Sequence, residues 1–180
     1  VGAIVLILFY GMVVAADFLA YANPEATEAE LSLVPPQSIQ WFDNGRFSPY
    51  IYGFTGTRDP KTFKRVYTPD PNIKIPVKFF TEGFEYKWFG IIPSNIHLIG
   101  TVGVPAEGTL FLLGTDVQGR DLWSRLMYAT RTSLIIGLVS VALSLILGVV
   151  LGGISGYYGG ILDIIIQRII EILRSIPTIP

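Results

Sequence analysis

The sequence predicts an α-helical membrane protein carrying a small β-rich insertion, and three observations predict it. The 180 residues are 51% hydrophobic and only 15% charged, with a mean hydropathy of +0.52. That is too apolar for an ordinary water-soluble domain. Two charge-free apolar stretches occur, residues 1–16 and 134–154. Between them lies a polar segment with most of the charged residues and most of the prolines. The net charge of −1 gives no reason to expect a nucleic-acid partner. Cysteine is absent and His97 is the only histidine, which excludes disulfides, thiolate metal centres and two-histidine metal sites.

Residues 1–22 are read as a first transmembrane helix. Its apolar core, VGAIVLILFYGMVVAA, falls short of the ~20 residues a spanning helix needs. The chain opens inside that apolar run and stops at Ser175-Ile176-Pro177 and three further residues without a closing polar segment. It is therefore read as a fragment of a longer protein. A cleaved signal peptide competes for the first segment, but no basic region precedes it and Asp17 follows directly.

Residues 23–112 are read as a water-exposed, β-rich insertion, since no window within them is long and apolar enough to span. Asn23–Leu33 is a helical turn or a loose linker. Tyr50–Tyr52 and Lys64–Thr68 are short strand candidates. Ile73, Ile75, Val77 and Phe79 alternate with Lys74, Pro76, Lys78 and Phe80, a period of two. Thr81-Glu82-Gly83 then reads as a turn, with Phe84, Tyr86 and Trp88 returning on a second strand. Pro76 argues for an edge position. The aromatics Trp41, Phe42, Phe79, Phe80, Phe84, Tyr86, Trp88 and Phe89 are read as core filling, with a docking face as the alternative. His97 is read as a structural or surface histidine rather than a ligand.

Residues 113–132 are read as an amphipathic interfacial elbow helix. Thr115-Asp116-Val117-Gln118 fits a capping box. A helix from Asp116 puts Asp121 and Arg125 one turn apart, near enough to pair. Leu122, Leu126 and Ala129 fall on one side, and Arg120, Ser124 and Arg131 on other faces. A generic basic flank that merely anchors the next span explains the same charges.

Residues 133–157 are read as the second transmembrane helix. Ser144, Gly148, Gly152 and Gly156 recur every four residues and form a small-residue seam, suited to close approach by another helix of the same chain or of a second subunit. Tyr157-Tyr158-Gly159-Gly160 follow as an interfacial aromatic pair and a turn. Residues 161–180 are read as the start of a third, truncated span. There Asp163, Gln167, Glu171 and Arg174 make one polar stripe, with Arg168 beside it. The stripe reads either as groups along a substrate path or as a helix end held by lipid head groups. No G-x-x-x-x-G-K-[ST] loop and no G-x-S-x-G elbow occur, so catalysis by this chain is not expected.

GTDVQGRDLWSRLMYATRTSL resembles the signature before the second span of permease subunits in bacterial and archaeal dipeptide/oligopeptide ABC importers. Gly114, Thr115, Asp116, Gly119, Arg120, Asp121, Ser124, Arg125, Arg131, Ser133 and Leu134 match it, while Ala129 stands where the family usually has glycine. Gly148, Gly152, the run Gly156–Gly160, Asp163, Arg168 and Ser175-Ile176-Pro177 also resemble that family. The insertion, with IKIPVKFFTEGFEYKWFGIIP and HLIG, is similar to the extracytoplasmic insertion of its C-type component.

The resemblance implies the N-terminal half of a six-span type I ABC importer permease in the cytoplasmic (inner) membrane of a bacterium or archaeon. It implies a cytoplasmic N-terminus, with residues 23–112 outside. The implied partners are a second permease subunit, two ATPase subunits that bind ATP and Mg, and an extracytoplasmic binding protein that delivers peptide. This chain itself holds no cofactor in that reading. The topology leaves Arg120, Arg125 and Arg131 outside, against a positive-inside count, although Asp116 and Asp121 offset part of the charge. The elbow helix would fix the angle of the second span and help form the docking surface. A nickel or other small-solute importer is the near alternative. A membrane-anchored extracytoplasmic binding or assembly protein is the alternative from another class.

Overall fold

The computed structural model describes the chain apart from residues 59, 62–64, 89, 105–108 and 176–180 and the side chain of Arg174. It divides into two compact units, residues 1–134 and 135–180.

The first unit opens with α1 (Gly2–Val14), every residue apolar or glycine except Tyr10. Ala15 interrupts it, and the short α2 (Ala16–Leu19) follows. A single 3-10 turn at Ala29–Leu31 is the only helical structure described in the linker read from Asn23 to Leu33. Four antiparallel strands then form a meander in chain order: β1 (Gln40–Asp43), β2 (Arg46–Arg58), β3 (Arg65–Trp88) and β4 (Ile92–Thr101). Asn44 and Gly45, both at positive φ, close the β1–β2 hairpin.

Both strand candidates lie inside longer strands, with Lys64 outside the described residues. The predicted turn at Thr81–Gly83 is not a turn. β3 runs through it, and the pairing register shifts between Glu82 and Tyr86. The kink there mimics a turn in sequence, but Gly83 serves a different need. A Cβ at that position would lie 2.6 Å from Cδ2 of His97. The chain reverses instead at Gly90, whose N–H donates to the Lys87 carbonyl (3.1 Å). Pro76 is not on an outer strand either. β3 pairs with β2 up to Pro76 and with β4 from Val77 onward, so the missing N–H falls at the handover between neighbours.

The core gathers Tyr21, Ala22, Ile51, Val77, Ile99 and Leu110, with Ile39, Ile75, Leu112 and Trp123 packed against it. It therefore joins the segment leaving α2, the centre of the sheet and the segment leading into α3 (Leu122–Tyr158). The aromatics expected to fill this core mostly do not. Tyr86 is buried, Phe84 and Trp88 are half-buried, Trp41, Phe42, Phe79 and Phe80 are exposed, and Phe89 lies outside the described residues. β-branched and aliphatic side chains take the interior, and the sheet turns most of its rings outward.

The second unit comprises the remainder of α3 and α4 (Gly160–Ser175), joined at Gly159 and Gly160, both at positive φ. Among the described residues α3 is the one helix long and apolar enough to cross a membrane. At 37 residues it extends about 55 Å, against a hydrocarbon layer of about 30 Å.

Candidate functional site

The signature segment, residues 114–131, builds a clasp that ties the exit of α2 to the entry of α3. Its turn depends on two glycines. Gly114 has φ +78, and a Cβ there would lie 2.5 Å from the Val34 carbonyl oxygen. Gly119 has φ +77, and a Cβ would collide with the Glu28 backbone. Only glycine combines that conformation with that approach.

Thr115 is buried between these strands of chain. Its hydroxyl accepts the Val34 N–H (2.8 Å) and donates to the Leu31 carbonyl, while its own N–H donates to Val34 O (3.0 Å). The hydroxyl is thus occupied and caps no helix. The expected helix start at Asp116 gives way to a tight turn bridged by Thr115 and Asp121, because Gly119 in the left-handed region cannot continue a helix.

Asp116 is the hub of the turn. Its Oδ1 accepts the Gln118 N–H (2.8 Å) and the Arg120 N–H (3.0 Å). Its Oδ2 takes Arg120 Nε (2.9 Å), Arg120 Nη2 (2.8 Å) and Arg125 Nη1. Partial burial alone would push this carboxyl up. The N–H and guanidinium donors of Arg120 and the Gln118 N–H outweigh it and hold the group at about 2.

Asp121 is the N-cap of α3. Its Oδ2 accepts the Ser124 N–H (2.7 Å), and its Oδ1 accepts the Tyr21 hydroxyl (2.8 Å). It does not pair with Arg125, as the one-turn spacing predicted. The helix starts one residue after Asp121, so its carboxylate turns back to the helix N-terminus and Arg125 reaches Asp116 instead. Burial raises the Asp121 carboxyl against the opposing pull of the Ser124 and Tyr21 donors.

Three further links complete the clasp. Tyr21 Oη accepts the Leu112 N–H (3.0 Å), Ser124 Oγ accepts the Ala22 N–H (3.1 Å), and Trp123 Nε1 donates to the Leu19 carbonyl (2.9 Å). Two turns further on, Arg131 Nη1 meets Asp17 Oδ2 at 2.8 Å, with the Asp17 side chain only 10% exposed. The Asp17 carbonyl faces His97 Nδ1 (3.1 Å), and His97 Nε2 faces the Phe84 carbonyl (2.9 Å). His97 is thus a buried strut between α2 and the sheet.

Asp17, Tyr21, Trp123 and Gln37 were missed as partners. Gln37 binds Phe111 on both edges, through its backbone N–H (2.8 Å) and through Oε1 (2.7 Å). The available signal was Asp17 itself, since a carboxylate at the end of an apolar run needs a cation. Among the described residues no group of three His, Asp or Glu is placed to hold a metal.

The other predicted residues lie elsewhere. Ser133 is exposed on α3. Ser144, Gly148, Gly152 and Gly156 are exposed, and a Cβ built on any of the three glycines meets nothing within 4 Å. The α4 stripe breaks into two local pairs. Asp163 takes the Ser155 hydroxyl and the Gln167 amide (3.0 Å), while Glu171 turns to Arg168 (2.9 Å). The Arg174 side chain lies outside the described residues.

Comparison with known proteins finds relatives that match part of this chain. The chain is 54% identical over 69 residues to a dipeptide transport system permease protein of Haemophilus influenzae, covering 38% of this chain and 23% of that protein. Several of its curated homologues are named as dipeptide transport permeases. A dipeptide permease of Lactococcus lactis is 46% identical over 77 residues, covering 43% of this chain and 22% of the relative. An inner membrane ABC transporter permease protein of Escherichia coli is 43% identical over 67 residues, covering 37% and 20%. The chain thus spans about a fifth of the length of the relatives it matches. No family model and no solved structure matches.

Proposed function

We propose that this chain is the N-terminal part of a multi-pass permease subunit in an ATP-driven peptide importer. It works beside a second permease subunit, and two partner ATPases supply the energy by hydrolysing ATP with Mg. An extracytoplasmic binding protein delivers the peptide above the sheet. The observation that carries the reading is the clasp. The residues resembling the importer signature are spent on locking the chain leaving α2 to the head of α3, which suits a machine whose helices must move as defined bodies. Arg120, Arg125 and Arg131 run against the positive-inside rule in that position, but each is engaged by Asp116 or Asp17 within the fold rather than left as a free juxtamembrane charge. A simple anchor has no use for such a joint, and the relatives' names favour peptide over nickel.

The test is uptake by the full-length protein reconstituted in vesicles with its neighbouring gene products and binding protein. ATP-dependent accumulation of labelled dipeptide is expected. Accumulation of nickel but of no peptide would overturn the cargo assignment, and no ATP-dependent uptake of any solute would overturn the transport reading.

A further inference from the structure

We infer that the tip of the β3–β4 hairpin is a third membrane contact, dipping its apolar residues into the lipid interface beside α1. The inference rests on the reading of α1 and α3 as membrane helices. Contacts along the hairpin fix its direction. Ile99 packs in the core with Tyr21, His97 meets the Asp17 carbonyl, and Phe80 and Trp88 lie 6.0 and 6.4 Å from the ring of Phe18. The hairpin therefore runs back along the chain toward α1, on the side where Arg131 also meets Asp17.

Its reach exceeds what the sheet needs. From Ile99 to Ile92 is about 23 Å at strand rise. From Tyr21 back to Val14 is on the order of 10–15 Å, since most of that stretch is helical. The tip thus reaches the level at which the chain leaves α1, with Trp88, the partner of Ile92, lying against Phe18 of α2. What it presents there is apolar. Ile91 is 79% exposed and Ile92 63%. Trp88, an aromatic of the kind enriched at head-group level, precedes the tip, and Lys87 beside it is exposed, placed to meet lipid phosphate. Among the described residues β1 and β2, whose hairpin carries Phe47, do not approach α2 as β3 and β4 do, and that opposite tip serves as the internal control.

The chain has no cysteine, so single probes are readily placed. Full-length protein freed of other cysteines, carrying Ile91→Cys, Phe47→Cys or Leu143→Cys and labelled with an environment-sensitive fluorophore, is reconstituted in phosphatidylcholine vesicles. The expected result is loss of emission at Ile91→Cys when lipids carry a shallow nitroxide, with shielding from aqueous iodide, and the reverse at Phe47→Cys. A probe at Ile91→Cys that iodide reaches and lipid does not overturns the inference. So does one shielded from both, which identifies a protein partner. If Leu143→Cys also escapes every lipid quencher, the membrane reading itself falls; if Leu143→Cys is quenched and Ile91→Cys is not, only the hairpin contact falls.

Discussion

Replacing Asp116 with asparagine removes one charge from the hub of the clasp and leaves its shape almost unchanged. The carboxylate takes two backbone N–H groups and two guanidinium groups. Asparagine keeps one accepting oxygen for the backbone pair and turns an NH2 toward the arginines. Charge-assisted hydrogen bonds contribute about 1.5–3 kcal/mol when shielded. Here the Arg120 and Arg125 side chains are 27% and 38% exposed, so solvent screening reduces each to nearer ~1 kcal/mol. The expected loss is about 2 kcal/mol in local opening of the turn, or roughly 30-fold faster amide exchange. Hydrogen exchange followed by mass spectrometry on the peptide covering residues 114–122 of the full-length protein reads this directly. The pH dependence has a definite sign. The folded pKa, about 2, lies below the ordinary carboxylate value, so ionised Asp116 adds stability above that ordinary value and loses it as pH falls toward 2. The difference between wild type and D116N must therefore shrink between pH 4 and pH 2. Unchanged exchange at neutral pH, or a difference that grows on acidification, would refute the hub.

Three further outcomes follow from the same geometry. Arg131→Met leaves a mostly buried Asp17 carboxylate without its cation, with the Tyr128 hydroxyl still bonded to it; we expect lower thermal stability by about 1–3 kcal/mol, with the Asp17→Asn/Arg131→Met double variant less impaired than Arg131→Met. Equal damage in the single and double variants would break the pair. Gly119→Ala meets the Glu28 backbone at a positive φ and should cost more than the ~1–2 kcal/mol of the backbone conformation alone, read by thermal unfolding in detergent. Gly148→Ala meets open space in a helix, so folding should be unharmed while co-purification with the second permease subunit falls if the seam packs there.

The sequence made some of this architecture legible and hid the rest for physical reasons. Composition separated the apolar helices from the sheet because burial and membrane depth both act on whole segments. The period of two located the β3 pattern, yet it could not tell a bulge from a turn at Thr81–Gly83. Both leave a glycine among polar residues, and only the approach of His97 distinguishes them. The signature pointed to the peptide permeases that the relatives' names bear out. The partnerships within it were misread, because i,i+4 spacing pairs Asp121 with Arg125 only if the helix has already begun. Gly119 delays the helix to Leu122, and that one delay sends Arg125 to Asp116 and Asp121 to Tyr21. The Asp17–Arg131 link spans 114 positions, and no local period reports it.

Asp121 gives the sharpest test of this reassignment, because it must answer pH in the opposite sense to Asp116. It is 5% exposed, and burial raises its folded pKa despite the donors of Ser124, Tyr21 and Trp123. A raised carboxyl contributes stability that is complete below its unfolded pKa and is lost as pH rises through the folded one. Asp121→Asn removes that titration. The N-cap bond from Ser124 can pass to the amide oxygen, but the Tyr21 hydroxyl, already accepting from Leu112, then loses an acceptor. The variant should lose about 1–3 kcal/mol at the bottom of the carboxylate range, where wild-type Asp121 is protonated and unpenalised. Its deficit should narrow as pH rises through the folded pKa and the wild type takes on a buried charge. Asp116→Asn must show the reverse trend. If both variants drift the same way with pH in thermal melts, Asp121 is an ordinary paired carboxylate, and the i,i+4 pairing with Arg125 becomes the better account of this segment.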